Sequence, residues 1–122
     1  MIYGVGTDIV SINRIAYAVE ASDQKFSTRI LTDKERNHYI EINNPENKIA
    51  FLAKRFAAKE AVSKALGTGI GEALSFKDIE FSNNSKGKPE VKVEKYSEYN
   101  IQLSLSDEKE GYAIAFAIAE KI

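Results

Sequence analysis

The chain has 122 residues, a formal net charge of −1, a single histidine (His38) and no cysteine. The length predicts one domain, residues 1–122, because typical domains have roughly 100–150 residues. The balanced charge excludes a general attraction to nucleic acid, and the composition excludes disulfides, thiolate catalysis, cysteine zinc sites and histidine-pair metal sites. Any bound metal should therefore be a hard cation held by carboxylates, which indicates magnesium or manganese.

No stretch of the sequence approaches the roughly 20 apolar residues that a membrane helix needs. The start of the chain also has no signal-peptide pattern. We therefore expect a cytoplasmic protein with no membrane partner, whose partners are selected by local patches of charge rather than by the charge of the whole chain.

The first predicted element is a strand from Ile2 to Val10 that contains Gly4 and Gly6. Glycine within a strand usually marks a bulge or the close approach of another group. Asp8 lies in the same strand, where an acid is costly unless it is paired or bound to a metal. Because Ser11 is the better cap for the following helix, Asp8 is left at the end of the strand as a candidate site residue.

Three helices are expected after this strand. The first covers about 11–21, and a short helical turn is expected within 24–30. The second begins with a capping box at Thr32-Asp33-Lys34-Glu35 and continues to about Ile42. An Asn-Asn-Pro break precedes the long third helix, which begins near Glu46 and carries an apolar stripe.

The third helix should end in the glycine-rich segment Phe56–Gly69, with Gly67 as a left-handed cap. Glu60 and Lys64 lie on one face of this helix because they are four residues apart. One interpretation is an ordinary surface pair, which contributes only ~0.3–0.5 kcal/mol. The other is that a carboxylate, an ammonium group and loop amides together bind a metal and a phosphate.

The remainder of the chain reads as strands. A strand is expected within 74–81, and it should form a hairpin with a half-exposed strand at 90–94. Further strands are expected at 101–106 and 112–119, joined by a turn at 107–111. The order of elements predicts an α+β fold in which an antiparallel sheet packs against helices, one of them long and central.

The last predicted strand has two different apolar faces. One face carries large side chains and the other carries only alanine: Tyr112, Ile114, Phe116 and Ile118 against Ala113, Ala115, Ala117 and Ala119. Because both faces are apolar, both are expected to be buried. One can pack on the helices of its own chain, and the other needs a second layer, so we predict a homo-oligomer.

Two stretches now stand together: Gly6-Thr7-Asp8 through Arg14, and Phe56 through Gly69. They resemble the motifs of the holo-acyl-carrier-protein synthases, the small bacterial class of phosphopantetheinyl transferases. The family pattern is Gly-x-Asp with an Arg six residues after the Asp, then Phe-x-x-Lys-Glu-Ala-x-x-Lys-Ala-x-Gly-Thr-Gly. The resemblance covers essentially the whole chain, including Gly87-Lys88-Pro89, and implies the phosphopantetheinyl transferase fold.

The resemblance implies transfer of the phosphopantetheine arm of coenzyme A to a serine of an acyl carrier protein, with release of adenosine 3′,5′-bisphosphate. It implies Asp8 and Glu60 as magnesium ligands and Lys64 as a contact to the pyrophosphate, these three being the catalytic residues. The residues that it implies for coenzyme binding are Arg55, Lys64, Gly67, Thr68, Gly69, Lys88 and Pro89.

The resemblance also implies a homotrimer with active sites between subunits, and an acidic carrier received on the first helix by Arg14. Lys25 and Arg29 follow Arg14, but Glu20 and Asp23 lie between them, which makes this basic surface thin. The sequence does not indicate whether the carrier serves fatty-acid, teichoic-acid or polyketide synthesis.

The chain departs from the family at Ser106-Asp107, where many members have Ser/Thr-His, so an imidazole role is absent there. The sequence does not identify the base that takes the serine proton. The two candidates are a metal-bound water and one of the two carboxylates. Two other classes of function are compatible with parts of the sequence: a non-catalytic module that binds coenzyme A or an acidic carrier, and a structural oligomer. The intact carboxylates and Lys64 favour the enzyme.

Overall fold

A computed structural model describes residues 1–108 and 111–122. The elements in chain order are β1 (Ile2–Ser11), α1 (Ile12–Ile30), α2 (Asp33–Glu41), α3 (Pro45–Ala65), β2 (Glu80–Asn83), β3 (Pro89–Lys92), β4 (Tyr99–Asp107) and β5 (Tyr112–Lys121). Two 3₁₀ turns lie at Phe76–Asp78 and Glu94–Tyr96. The turn predicted at 107–111 includes residues 109 and 110, which lie outside the described residues.

β1, β5 and β4 form a three-stranded antiparallel sheet with β5 in the centre, and β2 and β3 form a separate antiparallel hairpin. The sheet packs on α3, the longest helix, through the alanine face of β5. The four alanines on this face are fully buried. These small side chains let the helix lie close to the sheet, and the architecture confirms the predicted α+β fold with a long central helix.

Capping signals in the sequence correctly predicted where the helices begin and end. Thr32 and Glu35 form the predicted capping box at the start of α2. Asn44 caps α3, with Pro45 in its first turn. Gly67 follows the C-terminus of α3 with a φ of 85°, a conformation that glycine adopts without strain. Ser22 has an extended backbone, so α1 consists of two segments joined at a kink, as the two predicted segments require.

The strand predicted within 74–81 is wrong in its first half. Residues 76–78 form a 3₁₀ turn instead, and β2 begins only at Glu80. The cause is a local cap, since the Ser75 amide donates a hydrogen bond of 2.8 Å to Asp78 Oδ2. This cap turns the backbone so that Phe76 and Ile79, three residues apart, are both buried.

The sheet face opposite α3 is uncovered within one chain. Val5 and Ile9 of β1, and Tyr112 and Ile114 of β5, are each between 47% and 60% exposed. The expectation that both faces of the last strand are buried is therefore not met in the single chain, because these side chains point away from α3. In the described part of the chain, no helix combines the length and apolarity needed to cross a membrane.

Candidate active site

Two glycines bring β1 directly onto the backbone of α3. A Cβ atom at Gly4 would lie 2.1 Å from the Ala65 carbonyl oxygen, and one at Gly6 would lie 2.0 Å from the Ala61 carbonyl oxygen. Neither position can hold a larger residue unless the strand or the helix moves. Alternate residues of a strand face the same side, so Asp8, two positions beyond Gly6, also faces α3.

Asp8, Glu60 and Lys64 meet at this contact between strand and helix. Lys64 Nζ donates hydrogen bonds to Asp8 Oδ1 at 3.1 Å and to the Thr7 carbonyl oxygen at 3.0 Å. Glu60 lies one helical turn before Lys64 on the same face of α3. The structure therefore brings together the three residues that the two sequence motifs pointed to, although Asp8 lies more than fifty residues before the other two in the chain.

Glu60 carries electrostatic strain in this cluster. Partial burial is the main effect that raises the pKa of Glu60 above its ordinary value, and the negative charge of Asp8 raises it further. Lys64 and Arg29 oppose this increase without cancelling it. Two carboxylates held close enough to repel each other form a site that a divalent cation would stabilise.

The donor set fits magnesium or manganese. Magnesium in proteins is usually held by one or two carboxylates, with substrate phosphates and waters completing its coordination. Asp8 and Glu60 supply two carboxylates, and no group of three or more potential protein ligands occurs within residues 1–108 and 111–122. A cation held by these two carboxylates would keep open coordination positions for a phosphate-bearing substrate.

The glycine-rich loop after α3 is held against the end of that helix. The amides of Thr68 and Gly69 both donate to the Ser63 carbonyl oxygen, at 3.0 and 3.1 Å, and the Gly67 amide donates to the Lys64 carbonyl oxygen. The Thr68 hydroxyl donates to the Gly69 carbonyl oxygen at 2.8 Å. A phosphate would have to displace one of these bonds to gain a donor, so the role of this loop stays a prediction.

Arg55 lies on a different side of α3 from this cluster. It is five residues before Glu60, a rotation of roughly 140° on a helix with 3.6 residues per turn. Its guanidinium carbon lies 4.6 Å from the centre of the Phe51 ring and 5.5 Å from that of Phe81. Burial lowers the pKa of Arg55, and the Glu35 carboxylate opposes that shift.

Arg55 and Pro89 line one cleft of about 580 Å³, and none of Asp8, Glu60 and Lys64 is among its described lining residues. Arg55 Nε is buried without a hydrogen-bond partner among the described residues, so this cleft holds an unused donor. Lys88 is exposed in the hairpin turn beside Pro89. Asp8, Glu60 and Lys64 therefore form one group of predicted site residues, and Arg55 and Pro89 form a second.

Sequence reasoning missed further residues of this second cleft. Lys34, His38 and Lys54 also line it, together with Asp107. Lys54 Nζ lies 3.7 Å from Asp107 Oδ1, so the acid at the common histidine position forms an ion pair within the cleft. Of these residues, only Lys54 is next to Arg55 in the sequence. Lys34 and His38 lie on α2 and Asp107 lies on β4, so no local pattern could have connected them with Arg55.

Arg14 lies in the first turn of α1 and is exposed. Its backbone amide donates to the side chain of Ser11, the helix cap, at 3.4 Å. The cap fixes where the helix begins and leaves the guanidinium on the outer surface. Its predicted role in carrier binding stays a prediction.

Comparisons with known proteins identify the family of the chain. A family model described as the 4′-phosphopantetheinyl transferase superfamily (ACPS) matches residues 4–117. The holo-[acyl-carrier-protein] synthase of Marinomonas sp. (strain MWYL1) is 48% identical over 126 aligned positions, which cover 98% of either chain. The holo-[acyl-carrier-protein] synthase of Bacillus subtilis (strain 168) is 45% identical over 122 positions, covering 100% of this chain and 98% of that one.

The fold is also similar to solved structures. The crystal structure of a holo-(acyl-carrier-protein) synthase from Bacillus anthracis str. Ames in complex with CoA (3′,5′-ADP) matches with a TM-score of 0.90 and 43% identity. That match covers 100% of this chain and 99% of the other. The chain therefore belongs to the 4′-phosphopantetheinyl transferase superfamily, in its family of holo-[acyl-carrier-protein] synthases.

Proposed function

We propose that this chain, as one domain, transfers the 4′-phosphopantetheine moiety of coenzyme A to a serine of an apo acyl carrier protein. Adenosine 3′,5′-bisphosphate is the other product. Family membership supports this reaction, and the relative from Bacillus anthracis is described in complex with CoA (3′,5′-ADP). The observation that carries the proposal is the meeting of Asp8, Glu60 and Lys64 where the glycines of β1 contact α3.

Asp8 and Glu60 are the proposed ligands of magnesium, with manganese as the alternative. The cation would neutralise the pyrophosphate and the charge that develops on the leaving group. Lys64 already lies beside both carboxylates, and its side chain is 48% exposed, so its ammonium group has room to turn toward a phosphate. Its role is to bind and orient the pyrophosphate through charge-assisted hydrogen bonds.

The serine proton must reach a nearby acceptor. His38 does not serve this role, because its ring stacks on Phe51, with centroids 5.1 Å apart, in the other cleft. The carboxylates of Asp8 and Glu60 are the acidic side chains of the proposed cluster, so one of them, or a water molecule that they orient, accepts the proton.

The second group of predicted residues suggests how coenzyme A extends across the molecule. Arg55 and Pro89 line a cleft on a different side of α3 from Glu60, and the buried Arg55 Nε is free to donate to a ligand atom. We propose that the ribose phosphate of the coenzyme binds in this cleft, with Lys88 beside it. A coenzyme bound at both groups would have to contact the first group on one subunit and the second on its neighbour.

We also propose that the chain forms a homotrimer, as the family resemblance implies, and the structure supports an oligomer. The uncovered sheet face supplies an apolar surface on β1 and β5, which includes Ile9, Ile114 and Tyr112. Such a surface is typical of a protein–protein interface. Ile114→Lys should dissociate the oligomer and abolish transfer, and sedimentation or light scattering would measure the change in mass. A monomeric wild-type protein that transfers at full rate would contradict the proposal.

Location in the cytoplasm stays a prediction of the sequence.

The test of the reaction is a mass-shift assay. Purified chain, an apo acyl carrier protein, coenzyme A and magnesium are mixed, and the mass of the carrier is measured with and without a chelator. A gain of one phosphopantetheine that is lost with chelator supports both the reaction and its need for a metal. A folded oligomer that binds coenzyme A but modifies none of several carriers would instead support a binding module.

A further inference from the structure

The cleft that Arg55 and Pro89 line contains an acid where the family pattern commonly has histidine. Asp107 is the last residue of β4, and its side chain, 24% exposed, lines this cleft. An imidazole donates at least one hydrogen bond, whereas an ionised carboxylate only accepts them. The negative charge of Asp107 also repels a phosphate. The cleft therefore contains a group that opposes the ribose phosphate that we propose to bind there.

The other acid of this cleft is already balanced inside the protein. Glu35 forms an ion pair with the buried Lys59. Its oxygens also accept hydrogen bonds from the amides of Thr32 and Phe81. Within the described lining of the cleft, Asp107 is the remaining carboxylate. Its charge therefore decides how well the cleft can accept an anion.

Lys54 is the cation placed to neutralise Asp107. It lies next to Arg55 on α3, and its Nζ is 3.7 Å from Asp107 Oδ1. This distance allows the two charges to attract each other but is too long for a hydrogen bond, so Asp107 Oδ1 does not occupy an N–H donor of Lys54. The Lys54 side chain is 35% exposed, which lets its ammonium group turn toward a ligand while it stays near Asp107.

We propose that Lys54 is a coenzyme-binding residue, which neutralises Asp107 and donates a hydrogen bond to the ribose phosphate of coenzyme A. A lysine–aspartate pair then stands where the family pattern commonly supplies an imidazole. This inference rests on the proposed function. A phosphate monoester carries a charge of about −1.5 to −2 at pH 7, so it needs more than one cation. Lys34 and Arg55 line the same cleft and supply the others.

The position of Asp107 allows a second role, which the test must separate from this one. Asp107 also lines a smaller cavity of about 430 Å³, together with Ile9, Tyr112 and Ile114 of the uncovered sheet face. It therefore lies where the coenzyme cleft meets the surface that we propose to contact another subunit. The ion pair with Lys54 favours a role in the cleft, and the mass of the oligomer measures the other role.

The test compares Lys54→Met with Lys92→Met, because Lys92 also pairs with a carboxylate, Glu94 at 3.6 Å, but lies outside the described lining of the cleft. Transfer is measured with coenzyme A and with dephospho-coenzyme A, which lacks the ribose phosphate. Lys54→Met should raise the KM for coenzyme A by at least about tenfold, because a charged hydrogen bond is lost and Asp107 is left unpaired. The KM for dephospho-coenzyme A should stay within about twofold, as should both values for Lys92→Met.

A rescue experiment separates neutralisation from a contact that Lys54 makes alone. Adding Asp107→Asn to Lys54→Met removes the unpaired charge, so the KM for coenzyme A should return to within about threefold of wild type. Adding Asp107→His instead rebuilds the common family arrangement and should restore the KM at least as well. If neither double variant recovered, Lys54 would not act by neutralising Asp107, and the inference would be overturned.

Two further outcomes would also overturn the inference. An equal rise in KM for coenzyme A and for dephospho-coenzyme A would show that Lys54 does not act through the ribose phosphate. A lower oligomer mass for Lys54→Met, with an unchanged circular dichroism spectrum, would assign the pair to the contact between subunits. In either case, transfer by the wild type would still support the proposed function, and only absence of transfer by the wild type would count against it.

Discussion

Two lysines of α3 each form an ion pair with a carboxylate from another element. One pair is fully buried and the other is partly exposed. Lys59 Nζ lies 2.6 Å from Glu35 Oε1, and their side chains are 0% and 1% exposed. Lys64 Nζ lies 3.1 Å from Asp8 Oδ1, and those side chains are 48% and 16% exposed. The two lysines are five residues apart, so they point to different sides of one helix.

Every polar side-chain atom of the buried pair is hydrogen-bonded within the protein. Glu35 Oε1 also accepts from the Thr32 amide at 2.8 Å, and Glu35 Oε2 accepts from the Phe81 amide at 2.7 Å. Lys59 Nζ also donates to the Ile30 carbonyl oxygen at 2.8 Å. The pair thereby joins the end of α1, the cap of α2, α3 and β2, and its role is to hold the fold together.

The pair of Lys64 and Asp8 is different because it is partly exposed to solvent. Glu60 lies beside it with a raised pKa, and Lys64 is half in solvent. A charged cluster that is strained and exposed can exchange its internal contacts for contacts to a substrate or cation. The comparison teaches that burial and bonding distinguish a structural lysine from a proposed catalytic one within a single motif.

The largest effect is expected from Glu60→Gln, which removes one proposed metal ligand and keeps the size of the side chain. Transfer should fall about a thousandfold or more, because metal stabilisation of developing charge is worth several kcal/mol. The matched control is Glu46→Gln, at the exposed start of the same helix. The rate of transfer is measured for both variants as the mass shift of the carrier against time. Equal rates for the two variants would show that Glu60 is not a metal ligand.

The same variant makes a prediction about pH. Because the folded state raises the pKa of Glu60 above its ordinary value of 4.5, the folded chain binds that proton more tightly than the unfolded chain does. Stability contributed by this group is therefore present at low pH and is lost as pH rises above that value. Without metal, Glu60→Gln should unfold at a temperature equal to or above wild type at pH 7, and the gap should close near pH 4.

Lys59→Met should destabilise the fold by about 3–5 kcal/mol, because it leaves the Glu35 charge buried without its partner. Denaturant unfolding would measure the loss. Adding Glu35→Gln removes the unpaired charge and keeps an acceptor for the Phe81 amide, so about half of the stability should return. A double variant no more stable than the single one would show that the lysine acts through packing alone.

Gly6→Ala should impair both stability and transfer, because its Cβ would collide with the Ala61 carbonyl oxygen. Overpacking of this kind typically costs about 1–3 kcal/mol. Gly71→Ala is the control, since Gly71 has nothing within 4 Å of the added atom and no positive φ. If Gly6→Ala left the unfolding temperature and the transfer rate unchanged, β1 would not depend on this close contact.

Lys64→Met completes the comparison with Lys59→Met and should have the smallest effect on stability. Because about half of the Lys64 side chain is exposed, its ion pair should contribute only about 0–1 kcal/mol, so the free energy of unfolding should change little. Loss of a charged hydrogen bond to the pyrophosphate should lower kcat/KM for coenzyme A by about 10–100-fold. A large loss of stability with normal transfer would reverse the roles that we assign to the two lysines.

Much of the fold and of the site was predictable from local patterns. The capping box at Thr32, the glycine stop at Gly67 and the close approach at Gly4 and Gly6 are all present in the structure. Each depends on residue types or spacings of a few positions, so the sequence displays it directly. The wrong strand prediction at 76–78 also concerns a pattern of a few residues. The apolar residues there favoured a strand, but the cap between Ser75 and Asp78 produces a 3₁₀ turn.

The sequence by itself determined the α+β class, the family and the candidate residues Asp8, Glu60 and Lys64. Only the tertiary structure decided that Glu35 belongs to Lys59, 24 residues away, that Arg55 lies apart from Glu60, and that Asp23 turns to Tyr39, 16 residues away. The physical reason is that helix caps and glycine turns are set by neighbours along the chain. Ion pairs and clefts are set by which elements pack together, and no short pattern records that packing.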